Sequence, residues 1–280
     1  HGIPLHGAVT IPICSPWALC VHAWAMVIGS VRCVVFDLDD TLWNTIQTLS
    51  AAHEAMEASL AELHPQAAAK YGSSESFREE MKKTMEENPE KKHDFTFVRL
   101  ATLTRIAGSE DIAHRVFEDW FARRNSPVFF PGALEALAAL RKAGLRIGTL
   151  TDGNSDPARM EGLRDVIDFC VSAAEAGAAK PDGRMFQLCE AKSGCSPAEL
   201  VMVGDSAEKD VAGAKAAGWR AVWVRPPSQG PAIVGSAYDL SGARAVSGEV
   251  AADATVDHVA EVEGHLRTWA AAAAAAAAQT

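Results

Sequence analysis

A chain of 280 residues, 48% apolar and 22% charged, has enough apolar material for one large α/β domain or for a core carrying a smaller inserted one, which excludes a chiefly disordered chain. Its formal net charge of −10 argues against a nucleic-acid polymer or an anionic membrane surface as partner, because both are gripped by a surplus of Lys and Arg. No apolar run reaches the roughly 18 to 20 residues of a membrane-spanning helix, so the chain is expected to be soluble.

Residues 1–25 open on His1, mix Pro and Cys with apolar residues and contain no Lys or Arg. They read as a leader or upstream extension, poorly ordered, with Met26 as an alternative start; the missing basic residues count against a mitochondrial or secretory signal. Residues 31–36 are short, apolar and β-branched, the pattern of a buried parallel strand. From there to residue 121 Ala, Glu, Leu, Met and Lys dominate, with helical spacing over 51–63, 77–85, 95–106 and 112–121. Phe95, Phe97, Phe117 and Trp120 fall on that spacing and are expected in a core.

Beyond Pro131 the rhythm alternates: a helix over 133–142, a strand over 145–150, a helical stretch after Asp156-Pro157 and a short strand over 169–171. A helix over 185–192, a strand over 200–203, a helix over 207–217 and a strand over 221–224 follow, then a strand-to-helix pattern over 254–266. The alanine run at 270–278 reads as a frayed helix or a disordered end. Such alternation predicts a Rossmann-like parallel sheet flanked by helices. The core is assigned to 26–42 and 131–268, an inserted all-helical cap to 43–130 and a low-complexity tail to 269–280. The six cysteines form no C-x-x-C pair, which suits a reducing, cytoplasmic setting and not a disulfide framework.

In such a sheet ligands bind beyond the carboxyl ends of the strands, and the residues there are chemically loaded. Asp37-Leu38-Asp39-Asp40-Thr41 follows the first strand, and Thr151-Asp152-Gly153-Asn154 the second. Lys180-Pro181-Asp182 precedes the helix at 185, and Gly204-Asp205-Ser206, with Asp210 beyond, follows the fourth strand. Converging carboxylates repel unless a hard dication joins them; Mg²⁺ suits, with Asp37, Asp39 and Asp205 as the natural ligand set. Asp37 is placed to attack phosphorus, and Asp39 to protonate the leaving alcohol and later deprotonate water. The Thr151 hydroxyl, the backbone N–H groups around Asp152-Gly153 and the Lys180 ammonium offer a phosphate pocket.

These runs, in this order, resemble the four motifs of the haloacid dehalogenase superfamily, over about residues 31–224. The resemblance implies Asp37 as nucleophile and Asp39 as acid/base. It implies Mg²⁺ held by Asp37, the Asp39 backbone carbonyl and Asp205, with Asp210 in support. It also implies a cap that closes over a small phosphorylated metabolite: a sugar phosphate, nucleotide, phosphoglycolate or flavin-precursor phosphate. Asp152 stands where many relatives carry Asn, so its carboxylate is expected to point away from phosphate. Trp43 and Asn44, where the chain leaves for the cap, are expected near the leaving group.

Taken alone, Asp39-Asp40-Thr41 would serve equally as a turn, Lys180 as a solvated lysine and Asp210 as a surface carboxylate. Two other functions fit the same pattern: carbon–halogen hydrolysis, which needs neither metal nor Asp39, and a non-catalytic relative that binds a phosphorylated ligand. A dinucleotide site lacks its G-x-G-x-x-G after the first strand, and no H-E-x-x-H or G-x-S-x-G is present.

Overall fold

The computed structural model describes residues 31–225 and 252–277. The expectations for 1–25 and Met26, for Cys14 and Cys20, and for the last three residues of the tail lie outside the described residues.

Strand β1 (Cys33–Phe36) is fully buried. Its side chains alternate between two cores, Val34 and Phe36 to one face of the sheet, Cys33 and Val35 to the other, as the two-residue period of a strand requires. Strand β2 (Arg146–Thr151) lies parallel on one side of β1, with β3 (Phe169–Ser172) beyond it. On the other side lie β4 (Leu200–Gly204), β5 (Arg220–Val224) and β6 (Ala254–Val256), giving one six-stranded parallel sheet in the order β3-β2-β1-β4-β5-β6. Phe36 pairs with both Thr149 and Val203, so the ends of the three central strands open onto one edge. That edge, where the strand order reverses about β1, is the binding position of such sheets.

Between β1 and β2 the chain builds helices α1 (Thr45–Leu63), α2 (Pro65–Tyr71), α3 (Ser74–Glu87), α4 (Phe95–Ala107) and α5 (Glu110–Arg124). Side chains of Asn44, His64, Ser73, Asp94 and Ser109 cap their amino ends. The sequence pattern anticipates α1, α3, α4 and α5. It misses α2, whose Pro-Gln-Ala-Ala-Ala-Lys-Tyr carries no apolar stripe. This insertion has its own core, in which Met56, Leu60, Phe77, Val98, Leu103, Phe117 and Trp120 meet. It leaves and re-enters the sheet domain at one point, where Trp43 bridges Phe129 and the Phe130 N–H donates to the Leu42 carbonyl at 2.8 Å.

Helices α6 (Ala133–Lys142) and α10 (Val262–Ala277) cover one face of the sheet, and α8 (Gly183–Ser193) with Trp219 the other. A four-residue helix α7 (Ala173–Ala176) follows β3. Three expectations change. The helical stretch after Asp156-Pro157 is a single 3-10 turn, Pro157–Arg159, cut short before Gly162, whose φ of 88° suits glycine. The helix over 207–217 starts as a π turn, Ala207–Ala212, and only then becomes α9 (Gly213–Ala216). The alanine run continues α10 as far as Ala277, and Ala270 is buried against the sheet, so the start of that run belongs to the core. Among the described residues no helix is long and apolar enough to cross a membrane.

Candidate active site

Asp37 leaves β1 with its N–H bonded to the Val203 carbonyl at 2.9 Å, which pins it between β1 and β4. The Lys180 ammonium, buried before α8, donates to Asp37 Oδ1 at 2.6 Å and to Asp210 Oδ1 at 2.7 Å. The other oxygen of Asp210 accepts the Ser206 N–H at 2.9 Å. The π turn explains that inward aim. The Asp210 and Val211 N–H groups share the Ser206 carbonyl, and the extra residue turns Asp210 beneath the sheet edge. Gly204 makes room for it, since a Cβ there would overlap the Asp210 carboxylate.

Burial pushes Asp37 up to about 7 although Lys180 pulls it down, because the negative charge of Asp210 adds to the burial. Asp205 is raised well above the usual carboxylate range by burial and then by the charges of Asp37 and Asp210. Burial also opposes the charge of Lys180, but Asp210 and Asp37 outweigh it and keep the ammonium protonated. One cation therefore faces three carboxylates. An oxygen from each of Asp37, Asp205 and Asp210 lies within 4.8 Å of the others. Such an all-oxygen, over-negative cluster fits a hard dication such as Mg²⁺. Asp210 is tied to Lys180 and Ser206, so Asp37 and Asp205 are the carboxylates with capacity to ligate. Thr41 donates its hydroxyl to Asp205 Oδ1 at 3.3 Å, and the Trp223 indole donates to the Asp205 carbonyl at 2.8 Å.

The Asp39 side chain points elsewhere. It accepts from Arg124 Nη2 at 2.5 Å and from the Trp43 indole at 2.9 Å, so any contact of Asp39 with a metal falls to its backbone carbonyl. Burial acts to raise its carboxyl, but Arg124, Trp43 and Thr45 prevail and hold it below the ordinary range. Asp40 adopts φ 60° in the loop and accepts the Thr45 N–H at 3.0 Å, starting α1. A Cβ placed on Gly153 would lie 3.1 Å from Asp39 Oδ2, 3.3 Å from Arg124 Nη2 and 3.4 Å from Thr151 Oγ1, so these groups surround one small space. Thr151 is buried, and its hydroxyl accepts the Gly153 N–H at 3.0 Å.

Asp152 Oδ1 accepts the Lys180 backbone N–H at 2.8 Å, and Oδ2 lies 3.3 Å from Lys209 Nζ. Its carboxylate thus ties together three loops that meet at the site. Trp43 is wholly buried and donates to Asp39, which leaves it no surface for the leaving group it was expected near, and Asn44 caps α1 by accepting the Gln47 N–H at 2.8 Å. Arg124 and Arg99 also belong to the site, though neither lies in one of the four motifs. Arg124 continues the inward stripe Ala113, Val116, Phe117, Trp120, Phe121 of α5, and a charged residue on an apolar stripe is the signal that could have found it. Arg99 stacks 3.8 Å over the Trp120 ring, and burial followed by the positive charge of Arg124 lowers it to about 9. The cap meets the core again where Asn154 donates to the Thr96 hydroxyl at 3.2 Å and the Asp156 N–H donates to Asn125 Oδ1 at 2.8 Å.

The family model for haloacid dehalogenase-like hydrolases matches residues 31–218. The chain belongs to that family. A solved relative, 2-haloacid dehalogenase from Pseudomonas syringae pv. Tomato DC3000, is 27% identical and superposes with a TM-score of 0.71 over 85% of this hydrolase and 99% of its own chain. The HAD phosphatase of Thermococcus onnurineus, 20% identical with a TM-score of 0.51 over 84% of this hydrolase and 98% of its own chain, shares the fold. Phosphoserine phosphatase of Thermus thermophilus is 36% identical over 44% of this hydrolase, a match spanning 51% of that relative's length. The 5-amino-6-(5-phospho-D-ribitylamino)uracil phosphatase of Escherichia coli is 29% identical over 71% of this hydrolase and 85% of its own chain.

Proposed function

We propose that this hydrolase is a Mg²⁺-dependent phosphatase that removes phosphate from a small metabolite through an aspartyl-phosphate on Asp37. The observation that carries the reading is the buried Lys180 ammonium, 2.6 Å from Asp37 Oδ1, with Asp205 and the anchored Asp210 beside it. Lys180 steers the Asp37 carboxylate and balances charge on the incoming phosphoryl group, while Thr151 and the Gly153 loop receive its oxygens. A Mg²⁺ ion held by Asp37, Asp205 and the Asp39 carbonyl would offset the negative charge of the carboxylates and of the phosphate. Asp39 is ionised while Arg124 grips it; as entry of the leaving group loosens that contact it takes up a proton from solvent, passes it to the leaving oxygen as the P–O bond breaks, and, ionised again, accepts a proton from the water that hydrolyses the aspartyl-phosphate. The phosphatase names of the relatives support this reading, and Cys33, Cys170, Cys189 and Cys195, which are free among the described residues, suit a cytoplasmic setting.

The test is phosphate release from an aryl phosphate and from sugar, nucleotide, phosphoglycolate and flavin-pathway phosphates, with Mg²⁺ and with a chelator. Release that needs Mg²⁺ and disappears in Asp37→Asn is the expected result. The Pseudomonas syringae relative's name favours a second reading, carbon–halogen hydrolysis. Halide release that persists in chelator, with no phosphate release from any ester, would replace the first reading by the second.

A further inference from the structure

We propose that the cap carries an anion subsite, in which Arg99 and Arg124 together receive a carboxylate or second phosphate on the leaving-group side of the substrate. The assignment rests on the reading of Asp37 as the phosphoryl acceptor and narrows its substrate class to esters with two anionic groups.

Arg124 ends α5 with its side chain 3% exposed. One terminal nitrogen is answered by Asp39, while Nε and Nη1 are buried without an acceptor. Arg99, on the neighbouring α4, also has its Nε buried without an acceptor, and among the described residues no carboxylate pairs with it. The Trp120 ring supports one face of the Arg99 plane but leaves its buried Nε–H unanswered. A buried guanidinium donor left without an acceptor is costly, and native proteins rarely keep one without use. Arg124 has one carboxylate partner and Arg99, whose charge is felt beside it, has none, so this corner of the cap carries excess positive charge.

The location says what the excess charge is for. Arg124 Nη2 stands beside Asp39, Thr151 and Gly153, the groups around the phosphate loop. An oxyanion a few bonds from the scissile phosphate therefore comes within reach of the unanswered N–H groups. Planar guanidinium forks suit carboxylate and phosphate alike, so the shared chemistry is an oxyanion on a short linker.

The test is calorimetry on the full chain with Mg²⁺, using non-hydrolysable probes of similar length: propylphosphonate, 3-phosphonopropionate and propane-1,3-diphosphonate. At least one two-anion probe should bind about tenfold or more tighter than propylphosphonate, the scale of a charged hydrogen bond. Which of the two wins separates a carboxylate from a second phosphate. Arg99→Met should collapse that advantage and Arg99→Lys should keep part of it, with melting curves run alongside. Should Arg99→Met fail to fold, the wild-type ranking and Arg99→Lys decide. Equal affinity for all three probes, or an advantage that survives Arg99→Met in a folded protein, overturns the subsite. Phosphate release from p-nitrophenyl phosphate by the same preparation separates the two claims. Release with equal probe affinities sinks the subsite alone, and a retained two-anion preference with no release upholds the subsite while sinking the phosphatase reading.

Discussion

Replacing Lys180 by Met, which matches its length but not its charge, leaves Asp37 and Asp210 buried against each other without the cation that joins them at 2.6 and 2.7 Å. Removing one partner of a buried ion pair costs about 3 to 5 kcal/mol, and a chain of this size loses about 2 to 4 °C of melting temperature per kcal/mol. The expected loss near neutral pH is therefore roughly 6 to 20 °C. Its pH dependence has a definite sign. Without Lys180 the folded-state pKa of Asp37 rises further above its unfolded value, and such a group stabilises below the unfolded pKa and loses that contribution as pH rises through the folded one. The deficit of Lys180→Met should thus shrink toward about pH 5 and widen toward about pH 8. Melting curves of both proteins in chelator across that range check it. An unchanged melting temperature, or a deficit independent of pH, would refute the claim that Lys180 stabilises the two buried carboxyl groups it joins.

Gly204→Ala should force Asp210 off Ser206 and Lys180, lowering kcat at least about tenfold with the fold retained, as steady-state kinetics and circular dichroism would report. Asp152→Ala removes the acceptor for the Lys180 N–H and the partner of Lys209; a loss of about 1 kcal/mol in denaturant unfolding and a weakened phosphate inhibition constant are expected. In metal-free protein Asp37 sits at about 7, so its proton competes with Mg²⁺. The Mg²⁺-induced rise in melting temperature should grow from about pH 6 to about pH 8, and a rise that is flat or reversed would contradict the placement of Asp37 in the metal set.

The sheet was legible because burial leaves a period-two signature. Val34 and Phe36 alternate with Cys33 and Val35, and Val201 and Val203 with Leu200 and Met202, each set feeding a different core. Asp37, Thr151 and Asp205 were legible for a related reason, since polar residues that end such strands mark the edge where ligands bind. What the sequence concealed depended on contacts distant along the chain. Arg124 reads as half of an Arg-Arg pair closing a helix, and only the return of α5 over β1 brings it to Asp39, 85 positions away. The π turn at Ala207–Ala212 looks like ordinary helix because its extra residue alters the backbone and not the apolar pattern. Asp152 faces Lys180 and Lys209 because the loops meet there; the sequence alone gave only the electrostatic reason for it to avoid phosphate. Helix α2 escaped notice because its stability comes from the His64 cap and burial of Ala67 in place of a stripe.

The most direct test of the central claim is peptide mass spectrometry on a turnover reaction quenched in acid, which preserves an acyl phosphate long enough to locate it. The account predicts one phosphate on the peptide containing Asp37, present only when substrate and Mg²⁺ are both added and absent from Asp37→Asn. Phosphate release by the wild-type protein without that adduct, or with the adduct on Asp39 or Asp205, would contradict it.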